Sequence, residues 1–434
     1  MQAVKRKNNT SKMANVVLRR VSDFFTASHD FNGILLSALC SEFDITWQKM
    51  QVTVNRLVRS GEISLAFASH CTNPHIKRLP DLPVEDQLSR LKAEDPQTIC
   101  AYPSPDVIRA TTDLTAYDSR PFTKRLAVAE AQLTPVYFDF EVLDRYYRDP
   151  RYRFDFHDFG GSIGIKTEHY ESPDTVDRDK VLLQTFGIAY NANRERVAVV
   201  FLRYLADLSP EHQQIWAAHM VSGACTMNSD YMRTTIYGDW SKYYSAYEAF
   251  LTEMVEINRL SAMMGKPGLF RDTFEGNRPE GFHTMLRPTR KNFEEFIHLL
   301  DKMLSENINR DFFKGDIELE RQVARDDGSF EVQRPGTIQL LEEWLSTRYS
   351  TSDGEDVSRE VLEPLREVRK LRQKPAHAMR SNEYDRSYPK EQDDILGRAC
   401  RALTQLRLIF WSHPRAGERY SPPDWLDGDS IVFY

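Results

Sequence analysis

The sequence predicts an α+β multidomain protein: an N-terminal module of helices and strands, a mixed α/β central domain and a C-terminal helical bundle. Three observations carry that prediction. The 434 residues are enough for about two to four domains. Apolar residues recur at helical spacing near both ends of the chain. Between them, 25 of the 49 aromatic residues fall within positions 136–290, a density that builds a core rather than a linker.

Composition narrows the class. Hydrophobic residues make up 41% and charged residues 28%, unlike a disordered or fibrous chain. The longest apolar run, 197–202, falls far short of the ~20 residues a membrane span needs. Lys5, Arg6 and Lys7 have no apolar stretch behind them, so no secretory signal is expected. Cys40, Cys71, Cys100, Cys225 and Cys400 are scattered singly, an odd set that favours a reducing cytoplasm over a disulfide framework. The net charge of −7 divides unevenly: residues 1–80 carry +6, leaving −13 for the rest, so a basic N-terminal module could meet a polyanion.

In chain order, residues 1–13 read as a basic disordered tail, and 14–80 as the N-terminal module. Val17, Val21, Phe24 and Phe25 form one helical stripe, and Leu35, Leu39 and Phe43 a second. Thr46 can cap a third helix with Trp47, Met50, Val54 and Leu57 inward, and Gly61 stands where a helix-ending glycine belongs. Residues 62–67 alternate as a strand, and 76–79 read as its return strand. This order resembles a winged helix-turn-helix, whose third helix would lie in the DNA major groove. That helix offers Gln48, Lys49, Gln51, Thr53, Asn55, Arg56 and Arg59; the basic residues Lys49, Arg56 and Arg59 are the candidates for nucleic-acid contacts.

Residues 81–135, punctuated by prolines, read as a Pro-rich connector with short helices such as 84–93. The central domain, 136–290, has strand patterns at 185–190 and 196–202 around a polar turn at 191–193, and helical patterns at 210–221 and 240–264. Gly160-Gly161-Ser162-Ile163-Gly164 lacks the ending of a phosphate loop and reads as a turn between strands. Residues 265–288 read as a long irregular loop, either a lid or contact surface or a disordered surface excursion. The bundle, 291–412, shows apolar stripes over 293–304, 337–348, 358–374 and 389–411, with a β-like insertion at 317–332. The last helix is apolar on more than one face, through Leu403, Leu406, Leu408, Ile409, Phe410 and Trp411, which predicts a covering partner. Residues 413–434 read as an extended surface tail.

Zinc readings fail on spacing. Cys71 and His75 lack a second ligand pair, and His212 and His219 lie seven apart. No metal and no cofactor is expected. The segment 366–380, REVRKLRQKPAHAMR, differs from the rest: six Lys or Arg stand against one Glu. Leu362, Leu365, Val368 and Leu371 anchor its helix, so Arg369, Lys370, Arg372 and Lys374 crowd the other surface. Pro375 ends or kinks the helix and brings His377 to the same end. The competing structural reading is a cationic helix end that offsets the partial negative charge there.

Arg372-Gln-Lys-Pro-Ala-His377, at the end of the penultimate helix of a small bundle, resembles the R-x4–6-H motif of the HEPN superfamily, over about a quarter of the chain. Gln373 and Pro375 depart from the residues usual inside that motif. The resemblance implies a metal-independent endoribonuclease or RNA-binding protein of toxin–antitoxin or anti-phage type, acting as a homodimer. Arg372 and His377 are the catalytic positions it implies, with Arg369, Lys370 and Lys374 as further nucleic-acid contacts. The chemistry is coherent: RNA supplies its own 2′-hydroxyl nucleophile, a histidine moves the proton, and an arginine holds developing phosphate charge. The alternative is a DNA-binding winged-helix regulator whose bundle dimerises and whose central domain senses a ligand. The expected partners are RNA, DNA through the winged helix and a second copy of the chain, with no membrane.

Overall fold

The computed structural model describes residues 2–28, 30–324, 330–349, 357–373 and 381–434. The chain divides into two units, Met1–Asp155 with Gly160–Asn228, and Phe156–Phe159 with Ser229–Tyr434.

The first unit opens with helix α1, Gln2–Ala27, so residues 2–13 are helical and not a disordered tail. No glycine or proline interrupts them. Ala14, Val17, Val21 and Phe25 bury one stripe. After β1 (Ile34–Leu35) come α2 (Leu36–Glu42) and α3 (Trp47–Arg59). Thr46 occupies the N-cap position of α3, but its side chain makes no capping bond. Gly61, at φ 70°, closes α3 with the hydrogen bonds Gly61 N→Val58 O and Glu62 N→Leu57 O.

Strand β2 (Ile63–Phe67) is followed by α4 (Val84–Ala93) before the return strand β3 (Ile99–Pro103). The expected return strand at 76–79 is therefore corrected: β3 is the middle strand of an antiparallel sheet ordered β1-β3-β2. Its five residues are all buried, so it lacks the alternation that marks a half-exposed strand. Residues 81–135 are accordingly no mere connector. They supply β3, α4, whose Leu88 and Leu91 join the core of the N-terminal module, α5 (Pro105–Thr111) and α6 (Pro121–Ala127).

The second sheet of this unit comprises β4 (Pro135–Asp139), β5 (Tyr152–His157), β6 (Gly160–Ile165), β7 (Leu182–Asn191), β8 (Arg196–Phe201) and β9 (Cys225–Met227). The order is β4-β8-β7-β6-β5, with β9 pairing β7. Short helices α7 (Asp144–Tyr147), α8 (Thr167–Tyr170) and α9 (Leu202–Ala206), and the longer α10 (Pro210–Ala218), fill the connections. The glycine run 160–164 is strand β6, not the turn expected. A Cβ on Gly161 would stand 2.0 Å from the Asp155 carbonyl oxygen and 2.7 Å from the Phe186 ring, so only glycine lets these segments approach.

In the second unit, α11 (Ser229–Met232) and β10 (Tyr244–Ser245) precede α12 (Ala246–Met263). The helix expected from 240 starts at Ala246, because the Ser245 hydroxyl accepts from Glu248 N at 3.1 Å and caps it there. The core joins α12 to α13 (Arg290–Met303), α14 (Thr337–Arg348), α15 (Val357–Gln373) and α16 (Tyr388–Trp411). The boundary expected at 290 thus moves to 228, since Phe250, Met254, Ile257 and Leu260 of α12 belong to the bundle core. Strands β11 (Arg321–Ala324) and β12 (Phe330–Gln333) pair antiparallel where the β-like insertion is expected.

Two further expectations are corrected. The irregular stretch 265–288 buries Leu269, Phe270, Phe282, Met285 and Leu286, so it is part of the core rather than a surface excursion. The C-terminal residues are not a surface tail: β13 (Ile431–Val432) pairs parallel with β10, Trp425 stacks on Tyr244 at 3.9 Å, and Tyr420, Leu426 and Tyr434 are buried. Leu403, Leu406, Ile409 and Phe410 of α16 are covered within the chain, and Trp411 Nε1 donates to Gly417 O at 3.1 Å. The apolar character of α16 therefore does not require a second copy; Leu408 is 40% exposed. Among the described residues no helix is long and apolar enough to cross a membrane.

His283, in the packed stretch, has Nδ1 2.8 Å from the Thr284 carbonyl oxygen and its ring against Phe156. Burial pushes its pKa down to about 4; Arg278 and His157 add to this, and the Thr284 carbonyl opposes it. The folded chain refuses a proton that an unfolded chain takes up near pH 6.5. The stability contributed by neutral His283 is full above that pH and falls, by about 3 kcal/mol, as the pH drops towards 4. A pH series of urea unfolding should show this slope in the wild type and lose most of it in His283→Gln; identical slopes would reject the assignment.

Candidate functional site

Helix α15 holds its place through Val361, Leu362, Leu365 and Val368, all buried. Its described residues run to Gln373, and Pro375, where the sequence predicts an end or kink, lies outside the described residues. Its basic residues then face partners that the sequence does not place beside them. Asp301 of α13 is 0% exposed and takes both Arg369, through Nε at 3.2 Å, and Arg372, through Nη1 at 2.6 Å. Arg369 Nη2 also donates to the Ser305 hydroxyl oxygen at 3.0 Å, and Ser305 in turn donates to Asp301. Arg372 Nη1 meets Glu306 as well. These carboxylates raise the Arg372 pKa further above the ordinary arginine range, Asp301 first and Glu306 second. A carboxylate with no solvent exposure needs such pairing, and Asp301 has two guanidinium groups and a hydroxyl.

This corrects the picture of an open basic face. Arg369 is turned into the Asp301–Ser305 network, Arg366 pairs with Glu342 at 2.5 Å, and Lys370 is exposed without an ion-pair partner among the described residues. Arg372 keeps 29% of its side chain exposed. Both of its bonds come from Nη1, which leaves the Nε–Nη2 edge of the guanidinium unused among the described residues. Lys374 and His377 lie outside the described residues.

The α3 surface is narrower than the sequence implies. Thr53 is buried, its hydroxyl bonded to the Lys49 carbonyl at 3.1 Å. Helix α4 packs alongside and occupies one edge: Gln51 Nε2 donates to Leu91 O at 2.9 Å, and Arg59 pairs with Glu85 at 3.0 Å while bonding Asn55. Lys49 and Arg56, two turns apart on the same face, are exposed and have no acidic partner among the described residues.

No family model, curated protein or solved structure matches this chain. The site therefore rests on its own geometry. Asp301, Ser305 and Glu306 are the residues that sequence reasoning passed over. One signal was present: Asp301 sits within the inward stripe of Ile297, Leu300 and Leu304, where a charge is costly unless it is paired.

The other candidate clusters hold local structure. His212 is buried, with Nδ1 2.7 Å from the Tyr146 hydroxyl, which also accepts from Trp216 Nε1 at 2.9 Å. Burial lowers its pKa, and Arg145 adds to the shift. Cys71 Sγ bonds Phe67 O at 3.3 Å, and His75 Nδ1 lies 3.0 Å from Gly33 O. Among the described residues no group of His, Cys, Asp and Glu is placed to hold a metal ion.

Proposed function

We propose that the chain is an RNA-directed protein of the HEPN-like kind, a metal-independent endoribonuclease in which Arg372 stabilises phosphate charge and His377 moves the proton. The observation that supports this most is how Arg372 is held. It stands on the last described turn of α15, fixed by Asp301 and Glu306 through one nitrogen, with its Nε–Nη2 edge unused among the described residues. That edge matches two phosphate oxygens, and a guanidinium already held in place loses little freedom on binding them. In the reaction, the bond from the 2′-oxygen to phosphorus forms as the bond to the 5′-oxygen breaks. The 2′-hydroxyl gives up its proton and the 5′-oxygen receives one. The products carry a 2′,3′-cyclic phosphate and a 5′-hydroxyl. The full-length protein should cut RNA in EDTA, leave cyclic phosphate ends and spare single-stranded DNA of the same sequence. No RNA cleavage, or DNA cut equally well, counts against the reading.

A second reading, a DNA-binding regulator acting through the N-terminal module, is favoured by the β1-β3-β2 order behind three helices and by Lys49 and Arg56 on α3, exposed and without an acidic partner among the described residues. The insertion between β2 and β3 carries α4 in place of a bare wing, which confines the contact face to Gln48, Lys49, Val52 and Arg56. Lys49→Ala with Arg56→Ala should weaken DNA binding and reduce the slope of log affinity against log salt by about two, at ~0.9 per phosphate contact. Arg59→Ala should do much less, because Glu85 already neutralises it. A salt slope unchanged in the double variant places any DNA contact on another surface.

A further inference from the structure

We propose that a cavity of about 550 Å³ in the second unit, between the C-terminal ends of α12, α14 and α16, binds a small organic phosphate with a flat apolar group, of the nucleoside monophosphate class. The volume is in the range of small-molecule sites. None of its residues takes part in the Arg372 cluster, so it stands apart from the proposed ribonuclease site.

Charge is the first argument. Lys266, Arg348 and Arg415 line the cavity, and Asp316 is its single acid. Asp316 is shared between Lys266, at 2.5 Å, and Arg348, at 2.7 Å, and also accepts from Trp344 Nε1 at 2.7 Å. Arg415 has no carboxylate among the described residues; its Nη1 donates to the Met264 carbonyl at 3.1 Å. Lys266 Nζ also donates to the Phe312 carbonyl at 2.7 Å. Three cations against one carboxylate still leave a positive surplus for an anion, and phosphate fits a guanidinium beside an ammonium.

The second argument is a donor without an acceptor. The Tyr349 hydroxyl is buried and has no partner among the described residues. Burial pushes its pKa up to about 12, so it stays protonated and able to donate. A buried unmet hydroxyl costs stability, and a bound polar ligand would relieve it. The Tyr349 ring packs against Trp344 at 5.5 Å between centroids, and with Pro414 it forms an apolar wall for a flat group beside the cations.

Titration calorimetry of the full-length chain with AMP, adenosine and inorganic phosphate tests this. AMP should bind at one site per chain, with adenosine and phosphate each at least about tenfold weaker, since each lacks one half of the contacts. Arg415→Gln should weaken AMP by about tenfold. Tyr349→Phe should weaken it by about fivefold with Tm unchanged or raised, because removing an unmet hydroxyl costs the fold nothing. No AMP binding at millimolar concentration, adenosine or phosphate binding as tightly as AMP, or both variants binding like wild type would each overturn the proposal. RNA cleavage is a separate readout, so failure here and failure of the ribonuclease reading are distinguishable.

Discussion

His377→Ala should lower RNA cleavage by about 100- to 10,000-fold, the usual cost of losing a positioned acid–base group, while RNA binding stays near wild type. Arg372→Ala should lower the rate comparably and also weaken RNA binding, because a guanidinium meets phosphate in the ground state as well as in the transition state. It should still fold: Asp301 keeps Arg369 and Ser305 as partners. Arg372→Lys should recover little, since one ammonium cannot pair with Asp301 and Glu306 and still offer the planar edge of a guanidinium. Single-turnover cleavage with a matched binding assay separates these effects. Full activity in His377→Ala would falsify the assignment and move the chemistry elsewhere in the chain.

Arg407→Ala should destabilise the second unit by about 3–5 kcal/mol, the scale on which breaking a buried ion pair acts. Arg407 is 0% exposed. Its Nε donates to Glu253 Oε2 at 2.7 Å and its guanidinium also meets Asp427, while the Thr404 hydroxyl donates to Glu253 Oε1 at 2.8 Å. Burial already raises the Glu253 pKa, against the opposing pull of Arg407 and Thr404. Without Arg407, nothing of like size offsets that burial, so the variant should regain stability as the pH falls and the carboxyl takes up a proton. Arg407→Met combined with Glu253→Gln should be far more stable than Arg407→Ala, because no charge is left buried and unpaired. Urea unfolding at pH 7 and pH 5 measures both. A loss below about 1 kcal/mol in Arg407→Ala would mean that water reaches the pair.

The two sites differ in how they relate to their surroundings. Arg407 is wholly enclosed, and the chain cannot spare its charge. Arg372 is gripped through one nitrogen and keeps 29% of its side chain exposed, as suits a group that must be placed and still reach a ligand. Sequence reasoning found Arg372 through a motif and did not single out Arg407, because an arginine in an amphipathic helix looks alike whether it faces water or a buried glutamate.

Local patterns determined much of the fold. The spacing of apolar residues placed helices over 293–304, 337–348, 358–374 and 389–411, close to the described α13 to α16, since the period of a helix is printed in its residues. Gly61 marked the end of α3 because its left-handed backbone favours a residue without a Cβ. Only the tertiary structure decided what depends on partners distant in the chain. Strand β3 pairs with β1 and β2 across more than thirty residues and is buried throughout, so no alternation betrayed it. Helix α12 joined the bundle because its core residues pack with those of α13 to α16, although the sequence groups it with the aromatic-rich stretch 136–290, whose strands belong mostly to the other unit. Asp301 and Arg372 meet although 71 positions apart. A side chain's own identity fixes its local propensity, but the charge, shape and burial it meets are set by whatever the rest of the chain folds against it.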